Sequence, residues 1–490
     1  MAGDEQAKAV GETPGRELKE QTPVQTRHEA TIRGQKIAYD VTTGLMPLRN
    51  AKDEIEAQIF FVAYTLERED DDALRPLTFA FNGGPGSSSV WLHMGALGPK
   101  RAHLNADGTM PPPPFRLVDN DETWLTETDL VFIDPVGTGY SRAATPELAE
   151  KYYGYKGDIE SVGEFIRLYL TRYRRWSSPL FLAGESYGTL RATGLAGHLV
   201  ERGIALNGIS LISAVLSYAT LDMWAIGLND LPYSLFLPSF AATAWYHKRL
   251  SDAHQSRDLT DFLAEVEEYA TGDYLLALAK GDAISAEERS DVIRRVSDYT
   301  GLEPRFVDNS NLRIQIMRFC KELLRDEKRT VGRLDSRFTG VDTLAVTETP
   351  DVDPSMVHPG APFTAMVNDY LRDALKYESD LNYEGMSRTV IEKWKYDSVR
   401  NGYLDTTAPL RTAFHRNPHL KVLVNYGYYD LATPYYAMQY TMNHLGLEPS
   451  RHADIHYAPY EAGHMMYIDD ACRAQFRKDV VAFYREALPD

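Results

Sequence analysis

Gly184-Glu185-Ser186-Tyr187-Gly188 places a serine between two glycines directly after the apolar run 180–183. A serine hydroxyl is a weak nucleophile until its geometry is strained and a base lies beside it. Glycines two residues to either side let a strand turn sharply into a helix and expose Oγ, the pattern of a nucleophile elbow. Ser186 is therefore the candidate nucleophile, and its chemistry would be acyl transfer. Such a reaction needs backbone N–H groups aimed at the developing oxyanion. Asn82-Gly83-Gly84-Pro85-Gly86-Ser87-Ser88-Ser89 follows another apolar run, 77–81, and its glycines let backbone approach a ligand closely. The loop after the third strand and the residue after the nucleophile supply the two donors in α/β-hydrolases, so Gly84 and Tyr187 are the expected oxyanion hole. A phosphate-binding turn is the alternative, and it lacks a Walker lysine at the required spacing.

The base and its orienting acid are sought beyond other strands. Asp430 lies past the apolar run 420–424, and His464 lies past 455–457. Ser186, Asp430, His464 is the α/β-hydrolase order. His464 would take the Ser186 proton and return it to the leaving group, while Asp430 fixes the imidazole tautomer and steadies the imidazolium. Asp134 also ends a strand, but it precedes Ser186, and a loop-shaping role is expected for it.

These loops need a sheet to carry them. Residues 31–32, 36–41 and 58–64 read as antiparallel strands. The shorter runs 77–81, 130–133, 180–183, 209–212, 420–424 and 455–457 are apolar throughout, with a helix over 158–173 between two of them. Strands of that kind argue for a mostly parallel sheet covered by helices on both faces, with ligands beyond the carboxyl ends of the strands. The expected fold class is α/β, an α/β-hydrolase with a helical cap insertion. Residues 1–27 read as a solvated tail, 28–217 and 391–490 as the catalytic domain, and 218–390 as a mainly helical cap. Within the cap, Leu259, Phe262, Leu263 and Val266 fall at helical spacing, and Ser285 with Glu288 makes a capping-box pattern. Residues 335–362, rich in proline and acidic residues, read as an irregular loop.

A formal charge of −18 over 490 residues disfavours nucleic acid and anionic membrane surfaces as partners. No apolar run reaches the roughly 18 residues of a membrane-spanning helix. Only Cys320 and Cys472 occur, without metal-ligand spacing, so neither a disulfide framework nor a zinc-thiolate site is expected. The N-terminal segment shows no apolar signal region. A cytoplasmic location is expected from the chain as written, and a periplasmic or secreted one had a leader been removed.

Taken together, Asn82 to Ser89, Ile133-Asp134-Pro135-Val136-Gly137-Thr138-Gly139-Tyr140-Ser141, Gly184 to Gly188, the Asp430 loop and Gly463-His464-Met465 resemble the serine carboxypeptidases. The likeness covers about residues 77–216 and 420–488. It implies release of the C-terminal residue of a peptide through an acyl-enzyme, with no metal or organic cofactor. It also implies that Asn82, Gly83 and Glu185 bind substrate, Asn82 and Glu185 by hydrogen bonds to the terminal carboxylate. Similar enzymes add a second glutamate before the Leu97-Gly98-Pro99 stretch, where this chain has Ala96. A carboxyl must be protonated to donate to a carboxylate, which ties such enzymes to acidic pH. Loss of one implies a higher pH optimum, or a substrate without a free carboxylate. Lys100, Arg101 or Arg191 could compensate in charge, though each reads first as a surface group or a structural ion pair. Thr189 in place of glycine and Ser87 in place of a cysteine are two further departures.

The expected partners are a peptide or small acyl substrate, and the chain a monomer or homodimer. An esterase, amidase or acyltransferase on the same framework is the alternative function, because triad and fold do not fix leaving group or acceptor. A catalytically silent binding protein is disfavoured, since each candidate position carries a competent residue.

Overall fold

Side chains that alternate along the central strands enter two different cores. The computed structural model describes residues 18–67, 75–223, 229–396 and 402–488. Nine strands form the spine of its main sheet: β1 (Val24–Ile32), β2 (Gln35–Arg49), β3 (Ile55–Leu66), β4 (Leu77–Phe81), β5 (Asp129–Ile133), β6 (Leu180–Glu185), β7 (Gly208–Ile212), β8 (Lys421–Gly427) and β9 (Ile455–Tyr460). Their spatial order is β1-β2-β3-β5-β4-β6-β7-β8-β9, with the short strand Arg142–Ala143 paired to β3. The six strands from β5 to β9 run parallel, and β1 to β3 extend that sheet antiparallel. Every residue of β4, β5 and β6 is buried, as expected of strands covered on both faces.

On one face Phe79, Phe81, Val131, Ile133 and Leu182 pack with Val162 and Phe165 of α1 (Tyr155–Arg172) and Leu190 and Leu195 of α2 (Tyr187–Val200). That core runs on into the insertion through Phe236 of α3 (Leu231–Tyr246), Phe262 of α4 (Leu259–Tyr269) and Val296 of α5 (Ala286–Thr300). Ser285 and Glu288 form the capping box at the start of α5. On the opposite face Ala80, Phe132, Phe181 and Ala183 pack with Phe363 and Val367 of α6 (Pro354–Asp369) and with Phe476 and Val480 of α7 (Asp470–Ala487). The period-2 alternation of the strands thus divides the two halves of the insertion between opposite faces of the sheet. The mostly parallel sheet covered on both faces is the one expected from the strand pattern, and the architecture is the α/β-hydrolase one expected from the order of the motifs.

Two segments depart from expectation. The sequence predicts a solvated tail over 1–27, of which 1–17 lie outside the described residues, yet β1 already begins at Val24, which pairs with Thr43 of β2. The reason is the length of β2: its edge runs past the hairpin and needs backbone partners. Glu20 adds ion pairs to Arg49 at 2.7 Å and Arg172 at 2.9 Å. The 335–362 stretch, read as irregular, contains the first half of α6. Pro354 occupies the first helical turn, where a missing N–H costs nothing, and Asp353 caps it by accepting from Ser355 N at 3.0 Å. Pro359 and Pro362 lie inside the helix on its buried side with Phe363, so packing outweighs their poor propensity. Among the described residues no helix is long and apolar enough to cross a membrane.

Candidate active site

The strand β6 ends at Glu185 and α2 starts at Tyr187, which leaves Ser186 as the whole of the turn. Its φ of 60° and ψ of −128° put a residue with a Cβ in left-handed territory, a strain of about 1–3 kcal/mol that clusters at functional sites. The flanking glycines are required by contact. A Cβ at Gly184 would lie 2.2 Å from Gly188 O, and one at Gly188 would lie 2.9 Å from Phe81 O. Ser186 alone in 180–197 escapes burial. The fold therefore spends its strain on exposing one hydroxyl.

The Asn82 loop lies against this turn. A Cβ at Gly83 would meet Tyr187 N at 2.4 Å, so a glycine there is what lets loop and elbow touch. Gly84 follows and is the only exposed residue in 77–99. Among the described residues neither the Gly84 nor the Tyr187 N–H donates to a protein acceptor. Tyr187 also stands at the N-terminus of α2, whose first N–H groups have no helical partner and whose dipole favours negative charge. The pair presents the donors an oxyanion would use.

Asp430 and His464 meet across the ends of β8 and β9, with His464 Nδ1 2.6 Å from Asp430 Oδ2. An Nδ1–H donated to the carboxylate leaves the Nε2 lone pair free to act as base. The Asp430 carboxylate is itself tied down: Oδ1 accepts from Ala432 N at 2.7 Å and Thr433 N at 3.0 Å. Burial opposes an imidazolium at His464, but the Asp430 carboxylate outweighs it and holds the imidazole pKa above its ordinary value. Backbone bonds join this pair to the elbow. Ser186 N donates to Ile212 O at 3.0 Å, and the next residue, Ser213, donates its hydroxyl to His464 O at 2.6 Å. Thr433 Oγ1 lies 2.8 Å from Asp430 Oδ2 and 3.0 Å from Ser213 O, so its single hydrogen serves one at a time.

Glu185 sits beneath Ser186, 3% exposed. Burial pushes its carboxyl pKa up to about 7, against the pull of His464, Tyr467 and Asn82. Tyr467 donates its hydroxyl to Glu185 Oε2 at 2.7 Å. Asn82 is anchored on both sides: its Oδ1 accepts from Leu92 N at 3.0 Å, and its carbonyl accepts from Arg191 Nη1 at 2.6 Å.

Of the three cations weighed as compensators, Arg191 is buried on Asp158 at 2.8 Å, Lys100 pairs with Asp119, and Arg101 lies 3.8 Å from Asp470. Arg191 also stacks over the rings of Phe81 and Tyr187, at 5.3 and 5.5 Å. It therefore ties α1, the Asn82 loop and the elbow together. Arg191→Met is expected to cost about 3–5 kcal/mol of stability by leaving Asp158 buried without its partner. Chemical denaturation measures this, and a loss under about 1 kcal/mol would mean the pair behaves as an exposed one.

With this arrangement in view, a family model for serine carboxypeptidases matches residues 34–471. The chain belongs to the serine carboxypeptidase family. Among curated members, the pheromone-processing carboxypeptidase KEX1 of Saccharomyces cerevisiae is 25% identical over 252 residues, covering 45% of this chain and 33% of that protein. The probable serine carboxypeptidase CPVL of Dictyostelium discoideum is 27% identical over 186 residues, covering 34% of each. The chain thus spans about a third of the length of these relatives. The crystal structure of KEX1Δp, a prohormone-processing carboxypeptidase from S. cerevisiae, aligns over 91% of both chains with a TM-score of 0.56 at 17% identity, which shows a shared fold.

Several residues that support the site in this member of the serine carboxypeptidase family were not found by sequence reasoning. The insertion contributes Leu334, whose carbonyl accepts from His464 N at 2.7 Å, and Asp335, whose Oδ2 accepts from Gly463 N at 3.1 Å. Arg337 holds Asp335 at 2.8 Å and also donates to Glu461 O. Asp335 and Arg337 lie in the stretch read as an irregular loop and Leu334 directly before it, and none carries a local signal. Thr433 had one, since Asp430-Leu431-Ala432-Thr433 is an Asp-led turn pattern. Tyr467 had none, because its partner Glu185 is 282 residues away. Thr189, in place of glycine, is bonded on both sides: its hydroxyl donates to Val215 O at 2.8 Å and accepts from Val215 N at 2.9 Å. Asp134 Oδ1 accepts from Ser89 N and Oγ at 2.8 and 2.7 Å, which shapes the loop after Gly84.

Proposed function

We propose that this protein is a serine carboxypeptidase that releases the C-terminal residue of a peptide through an acyl-enzyme. The observation that carries the reading is the 2.6 Å Asp430–His464 bond, joined through Ser213 and Ile212 to the strained, half-buried Ser186. Ser186 Oγ attacks the scissile carbonyl as His464 Nε2 takes its proton, and Asp430 stabilises the imidazolium. The oxyanion is received by the Gly84 and Tyr187 N–H groups. The amine leaves with the proton from His464, and water repeats the sequence to free the acyl group. Asn82 and Glu185 receive the terminal carboxylate, with Gly83 holding that loop against the elbow.

Mass spectrometry of peptide-library digests tests this. Loss of single residues from free C-termini is expected, with amidated peptides cut at least about tenfold more slowly for want of a carboxylate. Equal cutting of both, or turnover confined to esters, would move the assignment to the amidase or esterase reading. Cys320 and Cys472 are both free, which supports a reducing compartment such as the cytoplasm.

A further inference from the structure

A buried carboxyl that must bind a carboxylate needs something to fix its orientation. In this chain that partner is a phenol. Tyr467 is wholly buried, donates its one hydroxyl hydrogen to Glu185 Oε2 at 2.7 Å, and has a ring that fills the space a Cβ on Gly95 would meet at 2.8 Å. It therefore lies between Glu185 and the helical residues Gly95 and Ala96, where the chain has no second acid. Asn82, 2% exposed, acts on both the Glu185 carboxyl and the Tyr467 hydroxyl.

We propose that Tyr467 is the specificity-determining partner of Glu185, clamping its carboxyl so that a single acid and Asn82 grip the free carboxylate of a peptide at near-neutral pH. The proposal rests on the carboxypeptidase reading and deepens it. The chemistry distinguishes a phenol from a second acid. A carboxyl donates only while protonated, so a pair of them works in acid. Burial holds the Tyr467 hydroxyl well above its ordinary pKa, so it remains a donor throughout the working range. Only the Glu185 proton is left to titrate. While protonated, Glu185 donates to the substrate carboxylate; once ionised it repels it. The charged and titratable groups facing Glu185 are His464 and Asp430 from the β8 and β9 loops and Tyr467 from the turn after His464, with Asn82 as a neutral donor. Since Glu185 and His464 act on one another, the pH limbs belong to the pair.

The test is kcat/KM against pH on matched blocked dipeptides ending in a free acid or an amide. In the wild type both substrates should gain as His464 loses its proton, and the acid-to-amide ratio should then fall above about pH 7. Tyr467→Phe removes only the hydroxyl. The Tyr467 bond favours the ionised carboxyl, so its loss should move the fall in the ratio to higher pH. The ratio at pH 6 should drop about tenfold as the carboxyl loses its orientation. A ring that merely filled space would leave both unchanged, and an unchanged ratio and limb would overturn the proposal. Thermal unfolding and fluorophosphonate labelling check the fold of the variant. Were it not to fold, Glu185→Gln and Glu185→Ala decide: Gln keeps an oxygen for Tyr467 and an N–H for substrate, so preference should persist without the fall above neutrality. Retained preference in Glu185→Ala would overturn the proposal. A wild type indifferent to amidation removes the carboxypeptidase reading and this inference together. A wild-type preference that Tyr467→Phe leaves intact removes this inference alone.

Discussion

Ser186→Ala is expected to lower kcat by about 10⁴-fold or more while leaving the protein folded. Alanine keeps the Cβ and the left-handed backbone at this turn, so the elbow stays where Gly184 and Gly188 place it and the change reads the missing hydroxyl. The Gly84 and Tyr187 donors and the substrate contacts remain, which is why residual turnover above the uncatalysed rate is expected. Steady-state kinetics on a chromogenic ester, with fluorophosphonate labelling followed by mass spectrometry, check it. Label should appear on Ser186 in the wild type and be absent from the variant. A loss smaller than about tenfold would refute the nucleophile assignment, and a wild type that took no label would favour a silent binding protein.

Asp430→Asn should cost nearly as much, about 10⁴-fold in kcat, for a reason specific to this turn. Asp430 Oδ1 accepts from the Ala432 and Thr433 N–H groups, while Oδ2 faces His464 Nδ1. An asparagine must keep its oxygen toward the two N–H donors. Its NH₂ then faces His464, forcing the ring hydrogen onto Nε2 and removing the lone pair that would take the Ser186 proton. The carboxylate that raises the His464 pKa is lost as well, so the remaining activity should begin to rise at lower pH than in the wild type. Kinetics over pH 5 to about 9 check both effects. Thermal unfolding should show a fold intact enough to attribute the loss to tautomer.

The parallel core was legible because strands buried on both faces must be apolar at every position, as 77–81 and 180–183 are. The candidate site was legible in its motifs because short-range geometry demands particular residues there. Glycine at 83, 184 and 188 is required by backbone atoms less than 3 Å from where a Cβ would stand. The supports behind those motifs were not legible. Arg191 could not be told from a surface arginine until Asp158 was seen beneath it, and prolines at 354, 359 and 362 read as a loop because burial, which decides in favour of helix there, has no local signature.

By itself the sequence determined the fold class, the strand-by-strand placement of the loops, and which serine, aspartate and histidine to examine, because each depends on residues within a few positions. Only the tertiary structure decided how Glu185 is held. Its carboxyl and the Tyr467 hydroxyl stand 282 positions apart in the chain and 2.7 Å apart in space. The Leu334 and Asp335 contacts that seat His464 have the same origin. Contacts of that reach depend on how β6, β9 and the insertion pack together, and packing is a property of the whole chain.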